Sequence, residues 1–315
     1  MLDKFFEGLG GKLAEKWVVT ILTPAFVFWL GGLAAYVWQF GLNPARTWFL
    51  NQPQPVQLIV LVVGLLIVTT SAVVVNFLDL FVLRMLEGYW PRWIWPLNSL
   101  RRRLVQRQAS RLSTAEQRFQ DLASKGLDQL SADERDEYAA LDLRLMQAPA
   151  LPDRLMPTTL GNILRSAELR PTDKYGLDVL ICWPRLWLLL PDSAKSELTQ
   201  ARSTLDTAAC VWCWSLLFLV WTIMAWWAAP IAVLSLVFTY RSMQSAAQVY
   251  GSLLESSFDL YRVALYESLR WPPPSNPAVE RQLGEELTLY LWRGSDKHFP
   301  LFTGTESLEK ESSAV

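Results

Sequence analysis

Histidine and cysteine are nearly absent, at one and three residues in a chain of 315. That stock leaves little for metal or redox chemistry. The cysteines frame no disulfide scaffold, since two of them, Cys210 and Cys213, stand inside an uncharged run. Also missing are a phosphate-binding glycine loop, a nucleophile elbow and a metal-ligand cluster. No cofactor is therefore expected, and the chain is not expected to be an enzyme. Cys210 and Cys213 share one face of a helix beside Trp212 and Trp214, where they serve as small apolar residues. His298 reads as a solvated side chain.

Charge is absent from three long stretches: residues 18–40, 56–77 and 207–240. The last, 34 residues long, would make about 50 Å of helix. A hydrocarbon core of about 30 Å needs only ~20 residues, so this run is expected to cross twice. Four crossings follow, near 17–40, 56–77, 207–226 and 230–250, with the outer turn at residues 226–230. The mean hydropathy is only +0.17 because a charged stretch separates the second and third runs. Sixteen tryptophans fit the same picture. Trp17, Trp38, Trp48, Trp90, Trp93, Trp95, Trp226, Trp227 and Trp271 lie where apolar runs end or turn, and an indole, apolar with one donor, settles at headgroup depth.

The first run is too long for the core of a cleaved signal, so it is expected to be retained. Residues 1–16 carry Leu2, Phe5, Phe6, Leu9 and Leu13 at helical spacing, which suggests a short helix on the membrane surface, although three glycines oppose it. Beyond the second run, from Arg84 onward, Arg84, Arg92, Arg101, Arg102, Arg103, Arg107 and Arg111 stand against one acid, Glu87. By the positive-inside rule that end is expected to be cytoplasmic, and so are both termini. Arg101, Arg102, Arg103 and Arg107 are expected to face anionic lipid, each worth about 1 kcal/mol near the surface. No nucleic-acid reading module accompanies these arginines, so no nucleic-acid partner is expected.

Arg241 is the anomaly. It lies eleven residues beyond Pro230, roughly 16 Å along a helix, and an isolated arginine near the bilayer centre costs at least ~2.5 kcal/mol. Small or polar neighbours, including Ser242, Gln244, Ser245 and Gln248, favour close helix packing. Either this half-helix packs inside a bundle, or the hairpin is re-entrant and Arg241 sits at the cytoplasmic interface, or the half-helix lines a hydrated path through a homo-oligomer that Arg241 biases towards anions. Asp79, Arg84 and Glu87 are placed to pair along one helix at its cytoplasmic exit, and Asp259, Arg262 and Glu267 repeat the pattern. The recurrence of Asp-Leu-aromatic, Glu and Trp-Pro suggests two parallel hairpins, or coincidence.

Between the membrane runs the text is helical. Leu97, Leu100, Leu104, Leu112, Ala115, Phe119 and Leu122 recur at three- and four-residue steps up to a stop at Lys125-Gly126. A capping box at Ser131 and Glu134 starts a second helix that runs to about Gln147 and forms an antiparallel hairpin with the first. Pro149, Pro152 and Pro157 then make an extended linker. Leu160, Ile163, Leu164 and Ala167 give a short amphipathic helix. An apolar stretch, 179–190, is too short to span and is expected to be buried or to lie at the interface. Asn276, with Pro277 behind it, caps a last helix along Val279, Leu283, Leu287 and Tyr290, and a polar tail follows.

Gly161-Asn162, Tyr175-Gly176-Leu177-Asp178, Trp183-Pro184-Arg185-Leu186-Trp187 and Leu190-Pro191 together resemble a segment found in an uncharacterised group of bacterial multi-pass membrane proteins. The resemblance covers about thirty residues and implies a bacterial membrane protein, with no activity attached.

The expected protein is all-α and polytopic. Its parts are a cytoplasmic N-terminal segment (1–16), a first membrane hairpin with its exit (17–96), a cytoplasmic helical insert (97–206), a second hairpin with a helical extension (207–271), a C-terminal arm (272–294) and a disordered tail (295–315). Its expected partners are the bilayer, further copies of itself and a cytoplasmic protein. The leading functional expectation is a homo-oligomeric channel governed by its cytoplasmic helices; the alternative is a non-conducting anchor or scaffold.

Overall fold

Prolines start helices and glycines stop them along most of this chain, and the computed structural model follows that punctuation. It describes residues 22–295, 297 and 300–303, apart from the side chain of Asp79. The surface helix expected over 1–16, Trp17, His298 and most of the polar tail lie outside these residues. Among the described residues every regular element is helical.

Pro24 opens α1 (Thr23–Phe40), which ends at Gly41 in the positive-φ region. Pro44 opens α2 (Asn43–Leu50), set at 108° to α1. In the link over 41–55 three prolines and two asparagines argue for an exposed turn, yet it contains this short helix because Pro44 pre-sets a first-turn φ and the Thr47 hydroxyl donates to the Asn43 carbonyl. α3 runs from Gln54 to Glu87. Two helical hairpin arms follow, α4 (Trp95–Lys125) and α5 (Ala132–Met146), the second opened by the expected capping box. α6 (Thr159–Tyr175) is capped by Thr158 and stopped by Gly176 in the left-handed conformation. It is longer than the amphipathic pattern suggested, since it continues through Pro171. Asp178 caps α7 (Val179–Leu189), which runs through Pro184 rather than breaking there. α8 (Asp192–Phe218) passes without interruption from the charged region into the third apolar run. A 3₁₀ turn (Leu219–Ile223) leads to α9 (Ala228–Ser268), and α10 (Pro277–Arg293) begins at the Asn276 cap.

The chain divides into two compact units, residues 1–85 with 204–243, and residues 86–203 with 244–315. In the first, the membrane unit, Phe28 of α1 meets the rings of Trp29, Trp214 and Trp221 at 5.4, 5.2 and 5.1 Å. Gly31 and Gly32 allow this, because a Cβ on either would stand 2.3 Å from the ring of Phe218 or Trp221. Small residues at helix contacts are the usual device where lipid leaves no hydrophobic drive between helices. Ser215 of α8 and Ser235 of α9 are in hydroxyl contact at 2.6 Å across the turn between these helices. Their turn falls at residues 224–227, slightly earlier than expected.

Among the described residues two helical segments, Gln54–Leu78 and Asp192–Ile223, are long and apolar enough to cross a membrane, and α1 with α2 makes a third if the bent pair is one span. The crossing expected over 230–250 is not among them. The uncharged part of α9 extends only from Ala228 to Tyr240, about 20 Å of helix against a core of about 30 Å.

The second unit, the head, has an ordinary buried core. Leu177, Cys182, Leu186, Leu254, Phe258, Leu265, Tyr266 and Leu287 close over α6, α7, α9 and α10, with Trp183 and Trp187 packed against them. The apolar stretch 179–190 thus puts one face in the core, while Leu180 and Leu188 on the other remain exposed. In the α4–α5 hairpin Phe119 stacks on Tyr138 at 4.5 Å, and Arg118 grips Glu137 through two hydrogen bonds.

Candidate functional site

The most densely charged part of the head joins α6, α9 and α10. Its geometry begins with two glycines. Gly176, at φ +71°, ends α6, and a Cβ there would stand 2.1 Å from the Arg281 carbonyl oxygen. On the facing helix a Cβ at Gly284 would stand 1.8 Å from the Tyr175 carbonyl oxygen. Backbone meets backbone, so the last turn of α6 is pressed onto α10. Thr288 completes the contact, donating to the Gly176 carbonyl at 3.1 Å and accepting from the Asp178 amide at 3.2 Å.

Around that crossing the charges interlock. Glu255 accepts from Lys174 at 2.5 Å and from Arg170. The Tyr175 hydroxyl donates to Asp259 at 2.6 Å. Arg262 donates to Glu280 at 2.7 Å and to the Asp259 carbonyl, and its guanidinium lies 4.2 Å from the centre of the Tyr175 ring. Glu280 is buried. Burial works against the Glu255 carboxylate, but hydrogen bonds from Lys174 and Arg170 outweigh it and hold its pKa below the ordinary value. Burial likewise opposes the Lys174 and Arg262 cations, whose bonds to Glu255 and Glu280 leave both with raised pKa values. The Tyr175 hydroxyl is raised by burial and by donating to Asp259. Glu255, Lys174 and Arg262 are thus held in their charged forms and Tyr175 in its neutral one.

Beneath it, the Tyr266 hydroxyl is fully enclosed without a hydrogen-bond partner, as is the Trp271 indole nitrogen. Burial and the nearby Glu280 push the Tyr266 pKa upward. Burial also raises the Cys182 thiol to about 11, so it is a poor nucleophile. No group of histidine, cysteine or acidic residues fit to hold a metal ion occurs among the described residues.

Of the paired charges read from the sequence, Asp259 and Arg262 enter this cluster, but through Tyr175, Lys174 and Glu280 rather than through Glu267, which is exposed. Arg84 is exposed, and the side chain of Asp79 lies outside what is described. Glu87, the last residue of α3, accepts at its carbonyl from the Thr158 hydroxyl at 3.0 Å. Gly161 lets α6 come that close, since a Cβ there would stand 1.9 Å from the same oxygen. Arg241, Ser242, Ser245 and Gln248 are exposed and Gln244 half-buried, while Met243, Ala246 and Ala247 fill the other face of α9. Arg102, Arg103 and Arg107 are exposed and Arg101 is half-buried.

The segment that carries the resemblance lies at the heart of this arrangement. Tyr175 supplies the hydroxyl, Gly176 the close crossing, Leu177 a fully buried side chain and Asp178 the cap of α7. Lys174, Glu255 and Glu280 were not singled out from the sequence. The Asn276 cap, which places Glu280 in the first turn of α10, was the available signal for one of them. No protein-family model, no curated protein and no solved structure matches the chain.

Proposed function

We propose that this chain is a multi-pass membrane anchor whose helical head docks a cytoplasmic protein, in a bacterial inner membrane with both termini on the cytoplasmic side. The observation that carries this is where the hydroxyls of the membrane unit go. Ser71 accepts from the Trp29 indole, Thr69 donates to the Leu65 carbonyl, Thr239 to the Ser235 carbonyl, and Ser215 pairs with Ser235. These groups are satisfied within or between helices, as packing hydroxyls in lipid must be, instead of lining a shared aqueous face.

A second support is the position of the arginines. The chain passes between the two units at residues 85/86, 203/204 and 243/244, and Arg84, Arg202 and Arg241 each stand within three residues of a passage. Basic residues at the ends of membrane segments are what the positive-inside rule describes. On this reading Arg241 marks an interface. The docking surface is sought on the exposed side of α10, where Leu289 and Trp292 are uncovered. Deleting 277–294 would remove core residues with it, so the test is a pair of point changes. Leu289→Asp with Trp292→Ala should abolish a cross-linked or co-purified partner while membrane extraction and far-ultraviolet circular dichroism stay unchanged. Undiminished partner capture would remove α10 from the proposal.

A channel is the second reading. Its support is the exposed polar stripe Arg241, Ser245 and Gln248, which a ring of copies would turn inward. Ion flux from liposomes above the protein-free level, with Arg241→Glu shifting preference towards cations, is the result it requires. Tight liposomes would count against it.

A further inference from the structure

The last described residues of the chain turn back onto the head. Thr303 donates its amide to the Arg270 carbonyl at 2.8 Å, and Nε of Arg270 donates to the Thr303 carbonyl at 3.3 Å. Phe302 sets its ring edge-on to Trp271 and Tyr290, at 6.2 and 6.1 Å between centres, an arrangement that aromatic quadrupoles favour. Trp271 follows the end of α9 and Tyr290 lies on α10, so one ring joins two elements. Arg270 is the informative residue. It stands at φ +55°, alone among the described non-glycine residues, where the chain leaves α9 and the Trp271 amide returns to the Tyr266 carbonyl at 2.9 Å. Glycine makes such a left-handed cap without strain; arginine does not, but it brings the side chain that holds Thr303.

We propose that the groove between Trp271 and α10 is a docking site for a short extended segment carrying one aromatic side chain, and that residues 300–303 of this chain occupy it as a displaceable strap. The strap itself shows the chemistry that fits: a backbone pairing with Arg270 and a ring laid against Trp271 and Tyr290. Its own fit is partial. Phe302 is 40% exposed and Leu301 60%, and a cavity of about 210 Å³ remains beside it, with Leu289, Tyr290 and Pro300 among its walls. The Trp271 indole nitrogen is enclosed without a hydrogen-bond partner, so the seated state leaves a buried donor unmet, which opposes it. Leu289 also belongs to the exposed side of α10 assigned above to a cytoplasmic protein, and the inference rests on that reading for the identity of the competitor. Strap and partner then contend for one end of α10.

The test needs no partner protein. The probe is a capped, fluorescein-labelled Pro-Leu-Phe-Thr peptide, titrated with the purified full-length protein in detergent and read by anisotropy. A segment on a short tether acts at an effective concentration of about 1 mM, so a seated strap should weaken a peptide of about 100 µM dissociation constant roughly tenfold. Phe302→Ala removes the ring and Thr303→Pro the donated amide; each should bind the peptide about tenfold more tightly than the native chain. A peptide with alanine in place of its phenylalanine should not bind. Phe302 is partly exposed, so its removal leaves the fold in place, which far-ultraviolet circular dichroism checks. Equal binding by the native chain and both variants, or binding by none of them, would overturn the inference. So would concentration-dependent association of the native chain that Phe302→Ala abolishes, because the strap would then be seated in a second copy. Peptide binding that behaves as expected while no partner is captured strikes the docking reading and leaves the strap; partner capture without any peptide effect strikes the strap.

Discussion

The two units of this chain bring their helices into contact by different means. In the membrane unit glycines face aromatic rings, Gly31 against Phe218 and Gly32 against Trp221, and only 11% of the apolar window in α3 is buried within one chain. In the head glycines face backbone, Gly176 against Arg281 and Gly284 against Tyr175, and charged side chains close around the crossing. On the function proposed above, the contrast follows from the solvent each unit meets. Where the surroundings are hydrocarbon, burying apolar surface gives no advantage, and close van der Waals contact with satisfied hydroxyls holds the helices. Where they are water, a sealed apolar core does the work, and the charges fix which helix crosses which.

The sharpest way to break the contrast is to put a branched side chain at each kind of glycine. Gly284→Val would drive side-chain atoms into the Tyr175 carbonyl, which cannot move without displacing α6, and should cost the head more than about 4 kcal/mol. Gly32→Val meets only the edge of a tryptophan, which can turn, and should cost about 1–3 kcal/mol. Denaturant unfolding in detergent, followed by protease sensitivity of the α4–α5 hairpin for the head and by far-ultraviolet dichroism for the rest, separates the two. Equal losses would mean the two crossings do not differ.

Next in size is the ion cluster. Glu280→Ala leaves the Arg262 guanidinium without its carboxylate in a site where the two side chains are 22% and 11% exposed. Removing one partner of a fully buried pair costs about 3–5 kcal/mol; discounted for that exposure, about 2 kcal/mol is expected from the head's unfolding midpoint, and Glu280→Gln should recover part of it. Changing either member of the exposed Arg118–Glu137 pair, by contrast, should leave the midpoint essentially where it is.

Acid should act on the head before the membrane unit. The pKa of Glu255 is depressed in the folded state, so its contribution is fully present above the unfolded value near 4.5 and is lost as pH falls through the lower folded one. Lys174, whose pKa is raised, contributes below 10.5 and loses that contribution only as pH rises through its folded value. The head's midpoint should therefore fall on acidification below about pH 4.5, and Glu255→Gln should flatten that slope. A slope unchanged by the substitution would place the acid sensitivity elsewhere.

The smallest effect has the opposite sign. Tyr266→Phe removes a buried hydroxyl that has no partner, relieving a desolvation cost of about 1–3 kcal/mol against the loss of a little packing. The head should be unchanged or stabilised by about 1 kcal/mol; a clear destabilisation would mean that the hydroxyl has a partner in solution.

Much of the local structure was legible in the sequence. The Ser131–Glu134 box, the Asn276-Pro277 cap, the Lys125-Gly126 stop and the stripe from Leu97 to Leu122 all rest on neighbours within a few residues, and such signals survive folding. The helix in the 41–55 link went unread because three prolines argued for a turn, whereas one of them starts a helix. The charged cluster was half legible. Asp259 and Arg262 stood out by spacing, yet their partners are 84 positions away at Tyr175 and 18 away at Glu280, and no local pattern encodes an association between helices. Nor did spacing show that α10, expected as an arm, would seat Leu287 and Gly284 in the core of the head.

The most direct test of the division into a lipid-facing and a water-facing unit is collisional accessibility of nitroxide labels on the full chain in nanodiscs. Val62 and Leu66 on α3 represent the first unit, and Leu289 and Arg107 represent the head; all four are exposed within one chain. The native cysteines 182, 210 and 213 are buried, so single-cysteine labelling is specific. We expect labels at 62 and 66 to collide with oxygen and be shielded from a nickel chelate, and labels at 289 and 107 to do the reverse. Nickel access at 62 and 66 equal to that at 289 would contradict the account.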